Sequence, residues 1–264
     1  MHFAPRIGAA GFALLAALAP AARANLVSHW SFDTANGSVV ADSQGTYDGT
    51  LSGTTPYVTG ISGQALSFDR TLNSLVTISA DNALNWSGSA FSFSLWIKTS
   101  TTDQLTFFFS KHASGTANGY AGALNQHNVG TFGAANAASF YVSGSDQTTS
   151  AVINDDTWHH LAFVYDAGIS QSIYVDGVNL ASTSTPSAIT GNSAPLLLGG
   201  MWLGSAASTY TGLLDEVRLY NHALTAGEVT ALAIPPAPVP EPAGFAALAG
   251  LATLGLAATR RRRS

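Results

Sequence analysis

FSFSLWIKT, residues Phe91–Thr99, alternates between two sets of side chains along its whole length. Apolar residues occupy every second position: Phe91, Phe93, Leu95 and Ile97. The positions between them hold Ser92, Ser94, Trp96 and Lys98. Successive side chains of a β-strand point to opposite faces, so this period of two predicts a strand with one face in a hydrophobic core.

Three further stretches have the composition of strands. HHLAFVYD, His159–Asp166, is apolar on both faces after its first residues, as a central strand should be. SIYVDGVNL, residues 172–180, predicts a hairpin, because Asp176-Gly177 forms a two-residue turn of the kind that needs positive φ. GLLDEVRLYN, Gly212–Asn221, predicts another strand.

The remaining pattern predicts an all-β domain with one short helix near its C-terminal end. Short β-branched and aromatic runs are separated by Gly, Asn, Asp, Ser and Thr, which favours a sandwich or barrel over βαβ units. TAGEVTAL, Thr225–Leu232, predicts the helix, since Thr225 and Glu228 can form a capping box. Residues 25–234 have about the length of one such domain.

Residues 1–24 have the layout of a secretory signal peptide. Arg6 supplies the positive charge, Ile7–Leu18 is apolar, and Ala22-Arg23-Ala24 is a small-x-small cleavage site. We therefore expect export and removal of the segment after Ala24 by signal peptidase. The alternative is a buried N-terminal helix.

The other end of the chain has three successive parts. PPAPVPEP, residues 235–242, predicts a stiff, extended linker. Residues 243–259 carry no charge and are barely long enough to span a hydrocarbon core of about 30 Å. Residues 260–264 begin with four arginines, which favour the cytoplasmic side of a membrane. The folded body would then lie outside.

These parts resemble the PEP-CTERM sorting tails of Gram-negative bacteria. The matching elements are Pro240, Glu241 and Pro242, the apolar segment, and Arg260, Arg261, Arg262 and Arg263. The resemblance implies processing near the triplet by an exosortase-type membrane protease. It also implies delivery to the cell surface or the exopolysaccharide matrix, with transient anchoring in the membrane. A plain C-terminal membrane anchor is the alternative.

The charge of the body, residues 25–234, narrows the range of partners. It holds four Lys and Arg against fourteen Asp and Glu, a formal net charge of −10. A chain with so few cations cannot neutralise many phosphates, so nucleic acid is not an expected partner. The chain has no cysteine, which excludes disulfides and thiolate metal sites.

Seven segments, taken in order, resemble the laminin-G-like, concanavalin A-like jelly roll. They are LVSHWSFD, GISGQALSFD, FSFSLWIK, TWHHLAFVYD, IYVDG, LLLGG and YTGLLDEVRLYNHALTAGEV. The resemblance covers nearly all of residues 26–232 and implies two curved antiparallel sheets packed face to face. This fold hosts lectins, adhesion modules, glycosidases and lyases, so the fold alone does not assign an activity.

Glycoside hydrolysis usually needs two carboxylates that flank the scissile bond. The body has only two glutamates: Glu228 is used in the predicted capping box, and the resemblance implies a structural role for Glu216. Asp155 and Asp156 are adjacent and point to opposite sides of an extended chain. We therefore expect no hydrolase activity.

A polysaccharide lyase remains an alternative, since such an enzyme can use a Tyr/His pair. The candidates lie in the middle region: His112, Tyr120, His127 and Tyr141. The adjacent His159 and His160 form a second candidate pair, although the resemblance implies a packing and hydrogen-bonding role for them.

Three aspartates could hold a structural calcium ion. The resemblance implies a calcium site at the rim of the sandwich, and the matching residues are Asp33, Asp69 and Asp215. Calcium prefers hard oxygen ligands on irregular loops. The alternative is that these aspartates cap turns or are solvated.

Aromatic residues are the candidates for stacking on sugar rings. Trp86, Trp202 and Tyr210 lie in loop-like settings, and we select Trp202 and Tyr210, with core packing as the alternative. Trp96 and Trp158 are predicted to lie in strand-core settings.

The sequence thus predicts an exported, non-catalytic protein that binds extracellular polysaccharide or mediates adhesion. A polysaccharide lyase or glycosidase on the same fold is the first alternative. An architectural matrix protein without a specific ligand is the second.

Overall fold

A computed structural model describes residues 25–79, 82–102, 105–113, 118–124, 136–201 and 208–235. These residues form two eight-stranded sheets, and every pair of neighbouring strands is antiparallel. The sheets pack face to face around one large hydrophobic cluster. The predicted all-β jelly-roll sandwich is confirmed.

The strands follow one another along the chain as β1 (Leu26–Trp30), β2 (Val39–Val40), β3 (Gly49–Ser52), β4 (Tyr57–Thr59), β5 (Gln64–Phe68), β6 (Leu75–Ile78), β7 (Phe91–Lys98), β8 (Thr106–His112), β9 (Gly119–Leu124), β10 (Ala138–Val142), β11 (Ser145–Thr148), β12 (Trp158–Asp166), β13 (Ser170–Val175), β14 (Val178–Ser184), β15 (Leu196–Leu198) and β16 (Gly212–Tyr220). Short 3-10 helices span Arg70–Leu72 and Asn82–Asn85, and the α-helix α1 spans Ala226–Leu232.

Sheet A has the strand order β14-β13-β12-β7-β16-β5-β4, and β1 also pairs with β16. Sheet B has the order β11-β10-β9-β8-β15-β6-β3-β2. Neighbours in space are often distant in sequence, as with β7 between β12 and β16. The strand with the cleanest alternation is thus a central strand of its sheet.

The apolar face of β7 lies in the core, as predicted. Phe93 stacks on Phe109 of sheet B, with ring centroids 3.9 Å apart and planes 11° from parallel. The opposite face is also covered: the Ser92 hydroxyl donates to the His222 carbonyl at 2.9 Å and accepts from the Leu224 amide at 3.0 Å. The segment that leads into α1 therefore closes the outer face of sheet A.

Helix α1 begins as the capping box predicts. Thr225 is the N-cap, its hydroxyl accepts from the Glu228 amide, and the Glu228 carboxylate accepts from the Thr225 amide at 2.8 Å. Val229 is wholly buried in a small cluster with Tyr220 and Leu224 on the outer face of sheet A. The helix thus packs against the sheet through Val229 and, three residues later, the half-buried Leu232.

Two local features of the backbone shape sheet A. Asp176 and Gly177 have φ values of 50° and 83°, which confirms the predicted two-residue hairpin turn between β13 and β14. In β16 the register shifts between Asp215 and Arg218, where Glu216 has a φ of 53°. This β-bulge was not predicted, and it redirects the acidic side chains of the strand.

The predicted signal peptide and the predicted C-terminal sorting tail lie outside the described residues. These segments are residues 1–24, which end at Ala24, and residues 236–264, which include Pro240, Glu241, Pro242 and the four arginines. Within the described ranges, no helix is long and apolar enough to cross a membrane.

Candidate functional site

Asp33 and Asp215 hold the same loop, Gly60–Gln64. One Asp215 oxygen accepts from the Ile61 amide at 2.9 Å and the Ser62 amide at 3.1 Å, and Asp33 accepts from the Gln64 amide at 3.0 Å. A Cβ atom at Gly60 would collide with the Asp215 carboxylate, and one at Gly63 with the Asp33 carboxylate. This explains the GISG motif: its glycines let two carboxylates approach the backbone.

Asp69 serves a different element. Its side chain caps the 3-10 helix Arg70–Leu72 by accepting from the Thr71 amide and hydroxyl, both at 2.7 Å. These hydrogen bonds, the one from the hydroxyl first, hold the pKa of Asp69 below its usual value. Among the described residues, no three His, Asp or Glu side chains are grouped so that they could hold one metal ion. The structure brings together two of the three aspartates, and calcium binding stays a prediction.

Asp215 is wholly buried, and this burial raises its pKa to about 7 despite the amide hydrogen bonds that it accepts. Glu216 beside it behaves differently. Burial alone would raise the pKa of Glu216, but the hydrogen bond with His29 (2.9 Å) and the charge of Arg218 outweigh it and keep this pKa low. The pKa values of two adjacent carboxyls thus shift in opposite directions, because burial dominates at Asp215, whereas the hydrogen bond with His29 and the charge of Arg218 dominate at Glu216.

The histidines and tyrosines proposed for a lyase are mostly dispersed. Tyr120 is wholly buried, and its hydroxyl donates to the Leu84 carbonyl at 2.9 Å. His112 and Tyr141 are in edge-to-face contact, with ring centroids 5.3 Å apart. His127 lies outside the described residues. His112–Tyr141 is therefore the one contact among these candidates that the structure describes.

His160 is wholly buried on the outer face of sheet A, where it has the packing and hydrogen-bonding role that the resemblance implied. Its Nε2 lies 2.8 Å from the Ser94 hydroxyl, and its ring meets Trp96 edge to face at 5.3 Å. Burial lowers the pKa of His160 to about 4, so this ring is neutral at pH 7.

The structure corrects the choice of aromatic residues. Tyr210 is wholly buried between Phe68 and Phe108, so it cannot stack on a sugar, and its core-packing alternative is correct. Trp86 is half-buried and stacks on Phe91. Trp202 lies outside the described residues.

Trp158 was predicted as a core residue, and this prediction is wrong. It pairs with Lys98, whose other neighbour is Leu213, and all three are half-buried in one row across the end of sheet A. Core residues of β7 and β16 alternate with Lys98 and Leu213, so this row, called here the Trp158 row, lies on the outer face. The sequence held a signal for this: Lys98 is a charged residue on the polar face of β7, and Trp158 lies opposite it on β12.

A cleft of about 350 Å³ opens beside the Trp158 row and is called here the rim cleft. Its walls are residues 98–101 after β7, Asp156, and residues 211–213 at the start of β16. The walls are tied together: the Thr99 hydroxyl donates to the Thr211 carbonyl at 2.6 Å, and the Asp156 amide donates to the Thr99 carbonyl at 2.9 Å. A half-buried tryptophan beside a polar cleft is a typical surface for binding sugars.

The two facing antiparallel sheets, with their long connections between sheets, define a jelly roll of the lectin type. The model of the concanavalin A-like lectin/glucanases superfamily matches residues 69–230. The chain belongs to this superfamily. No curated protein matches it.

Solved structures with the same fold match the chain. The chain is 28% identical to domain 4 of AbnA, a GH43 extracellular arabinanase from Geobacillus stearothermophilus, solved in complex with arabinotriose. That match covers 79% of this chain and 98% of the domain, with a TM-score of 0.63. The binding domain of Paraclostridial Mosquitocidal Protein 1 is 18% identical, covers 79% of this chain and 52% of its own, and has a TM-score of 0.61.

Trypanosoma rangeli sialidase is 17% identical, with a TM-score of 0.57. The match covers 79% of this chain but only 32% of the sialidase. At this level of identity, the sialidase and the mosquitocidal protein show the fold alone.

The raised pKa of Asp215 predicts a stability that depends on pH. A carboxyl whose folded pKa is about 7, against 3.8 when unperturbed, stabilises the fold fully below pH 4. That contribution is lost as the pH rises through 7. Asp215→Asn cannot titrate, so the stability of the wild type relative to this variant should fall by up to about 4 kcal/mol between pH 4 and 8. Urea unfolding at several pH values measures the difference, and parallel curves for the two proteins would contradict it.

Proposed function

We propose that this chain is a non-catalytic carbohydrate-binding protein, and that the rim cleft with the Trp158 row is its sugar site. The observation that carries the proposal is the likeness, over almost the whole length of the related domain, to a structure solved with arabinotriose. The row offers an indole to stack on a sugar ring, and the cleft offers hydroxyls, carbonyls and a lysine to orient it.

The carboxylates support binding over hydrolysis. Of the described residues in the cleft walls, Asp156 is the one carboxylate, whereas a glycosidase places two within about 10 Å across the bond. Glu216 is held in an ion pair with Arg218, and Asp215 is wholly buried. The net charge of −10 on the body favours a neutral or weakly charged polysaccharide, because a polyanion would be repelled.

A lyase is the second candidate function, and the contact between His112 and Tyr141 favours it. These rings meet on strands β8 and β10 of sheet B, whereas the rim cleft lies where β7 ends and β16 begins in sheet A. New unsaturated ends after incubation with the polysaccharide, abolished by Tyr141→Phe, would assign the function to this pair.

Replacement of Trp158 tests the proposed site directly. Trp158→Ala should raise the Kd for arabinotriose by about two- to tenfold, the range expected from loss of one aromatic stack. Ile169→Ala, which removes an exposed apolar side chain from the β12–β13 turn, is the matched control and should leave the Kd unchanged. Isothermal titration calorimetry, with and without calcium, gives both constants.

Equal Kd values for wild type and Trp158→Ala would place the sugar elsewhere. If neither arabinotriose nor a glycan array gives binding in any condition, the architectural role is the correct one.

The proposed location is the cell surface or exopolysaccharide matrix of a Gram-negative bacterium. The support is sequence alone: the signal-like residues 1–24 ending at Ala24, and the triplet Pro240-Glu241-Pro242 before the apolar segment and arginines. Deletion of residues 260–263 should leave an unprocessed chain in the membrane fraction. Mass spectrometry of released protein that still carries residues 243–264 would contradict processing at the triplet.

A further inference from the structure

His159 lies between two carboxylates that come from different turns. Its Nδ1 is 2.8 Å from an oxygen of Asp176, and its Nε2 is 3.1 Å from an oxygen of Asp155. Asp176 belongs to the turn between β13 and β14, and Asp155 lies in the loop before β12. The side chain of His159 is only 15% exposed, whereas both carboxylates are about half exposed.

This geometry defines the protonation state of the ring. Ionised carboxylates can only accept hydrogen bonds, and the Thr157 hydroxyl beside Nε2 already donates to Asp155 at 2.7 Å. Both ring nitrogens therefore donate in this arrangement, and only an imidazolium has two donors. Asp155 and Asp176 are the charged groups that face the ring, while the neighbouring position on β7 is Ile97. The hydrogen bond to Asp176 outweighs burial and raises the pKa of His159 above its usual value.

The Asp155 arm connects His159 to the rim cleft. Asp156, the next residue, is one of the cleft walls, and its amide donates to the Thr99 carbonyl. On the other side, the Asn154 side chain donates to the Thr101 carbonyl at 2.9 Å. The loop 154–157 is therefore fixed at two points to the opposite wall and at a third point to His159.

We propose that His159 is a positioning residue for the rim cleft, which it holds in shape only while its ring is protonated. The part of this inference that concerns sugar affinity rests on the proposed function. When the ring loses its proton, Nδ1 keeps its hydrogen for Asp176, and Nε2 can only accept. The Thr157 hydroxyl, which donates to Asp155 at 2.7 Å, then turns to Nε2, which lies 3.1 Å from it. Asp155 then loses its ring donor, the loop 154–157 loosens, and the affinity for sugar falls.

The direction of the pH effect follows from the raised pKa. The histidine contribution is fully present below the unfolded pKa of about 6.5 and is lost as the pH rises through the higher folded pKa. An ion pair whose carboxylates are half exposed, as here, is worth about a few-fold in an equilibrium constant. We therefore expect the Kd for arabinotriose to rise about two- to fivefold between pH 6 and pH 9.

Two measurements on the full chain, neither of which needs a ligand, test whether protonated His159 fixes the loop 154–157. NMR titration of the His159 ring should give a pKa above 6.5 that falls in Asp155→Asn. Hydrogen exchange of the Asp156 amide, corrected for the base-catalysed intrinsic rate, should speed up between pH 6 and 9 in the wild type. His159→Gln cannot titrate and should show no such change. His222→Gln, at the Glu228 end of sheet A, is the matched control and should behave as wild type.

The sugar titration separates the two proposals. A pH-dependent Kd that becomes flat in His159→Gln supports the inference. If the exchange rate of the Asp156 amide depends on pH but arabinotriose does not bind at any pH, the proposed function is wrong, and the role of protonated His159 in fixing the loop 154–157 still holds. An Asp156 exchange rate independent of pH, or an identical pH profile in His159→Gln, would overturn the inference.

Discussion

Strand β7 is closed on both faces, and the arrangement of the site depends on this constraint. Phe93 stacks on Phe109 across the core, while Ser92 exchanges hydrogen bonds with the segment before α1 on the outer face. A slip of one residue would put the serines into the aromatic core, so the register is strongly determined. Since β12 and β16 both pair with β7, that register also brings Trp158 and Leu213 to the same end of sheet A.

The protein is acidic, and several of its carboxylates act as acceptors for backbone amides. Asp42 is the fullest case: it accepts from the amides of His29, Gln44, Thr46 and Tyr47. Asp33 and Asp215 fix the Gly60–Gln64 loop in the same way. A chain without cysteine thus fixes its irregular loops with carboxylates, of which Asp42 and Asp215 are buried and Asp33 is exposed, and the buried Asp215 makes its stability vary with pH.

Local signals predicted the local structure correctly. The alternation in β7, the Asp176-Gly177 turn and the Thr225 capping box each depend on a few adjacent residues, and each is confirmed. The errors concern features that depend on distant pairing. Trp158 faces outward because of its register against Lys98, and Tyr210 is buried because Phe68 and Phe108 enclose it.

The sequence predicted the type of site but not the residues that form it. The sequence indicated an aromatic platform on a lectin-type fold, but it selected Tyr210, which is buried, and Trp202, which lies outside the described residues. The rim cleft is built from three segments that are separate in sequence. Its lining residues can therefore be identified only once the pairing of the strands is known. The similarity to a domain solved with arabinotriose then gives the ligand class to test.

Chemical-shift mapping with arabinotriose is the most direct test of the central claim, that sugar binds at the rim cleft without being cleaved. The account predicts saturable shifts of the Trp158 indole and of the Thr99, Asp156 and Thr211 amides, with the sugar spectrum unchanged over time. Shifts confined to His112 and Tyr141, or the appearance of new sugar ends, would contradict it.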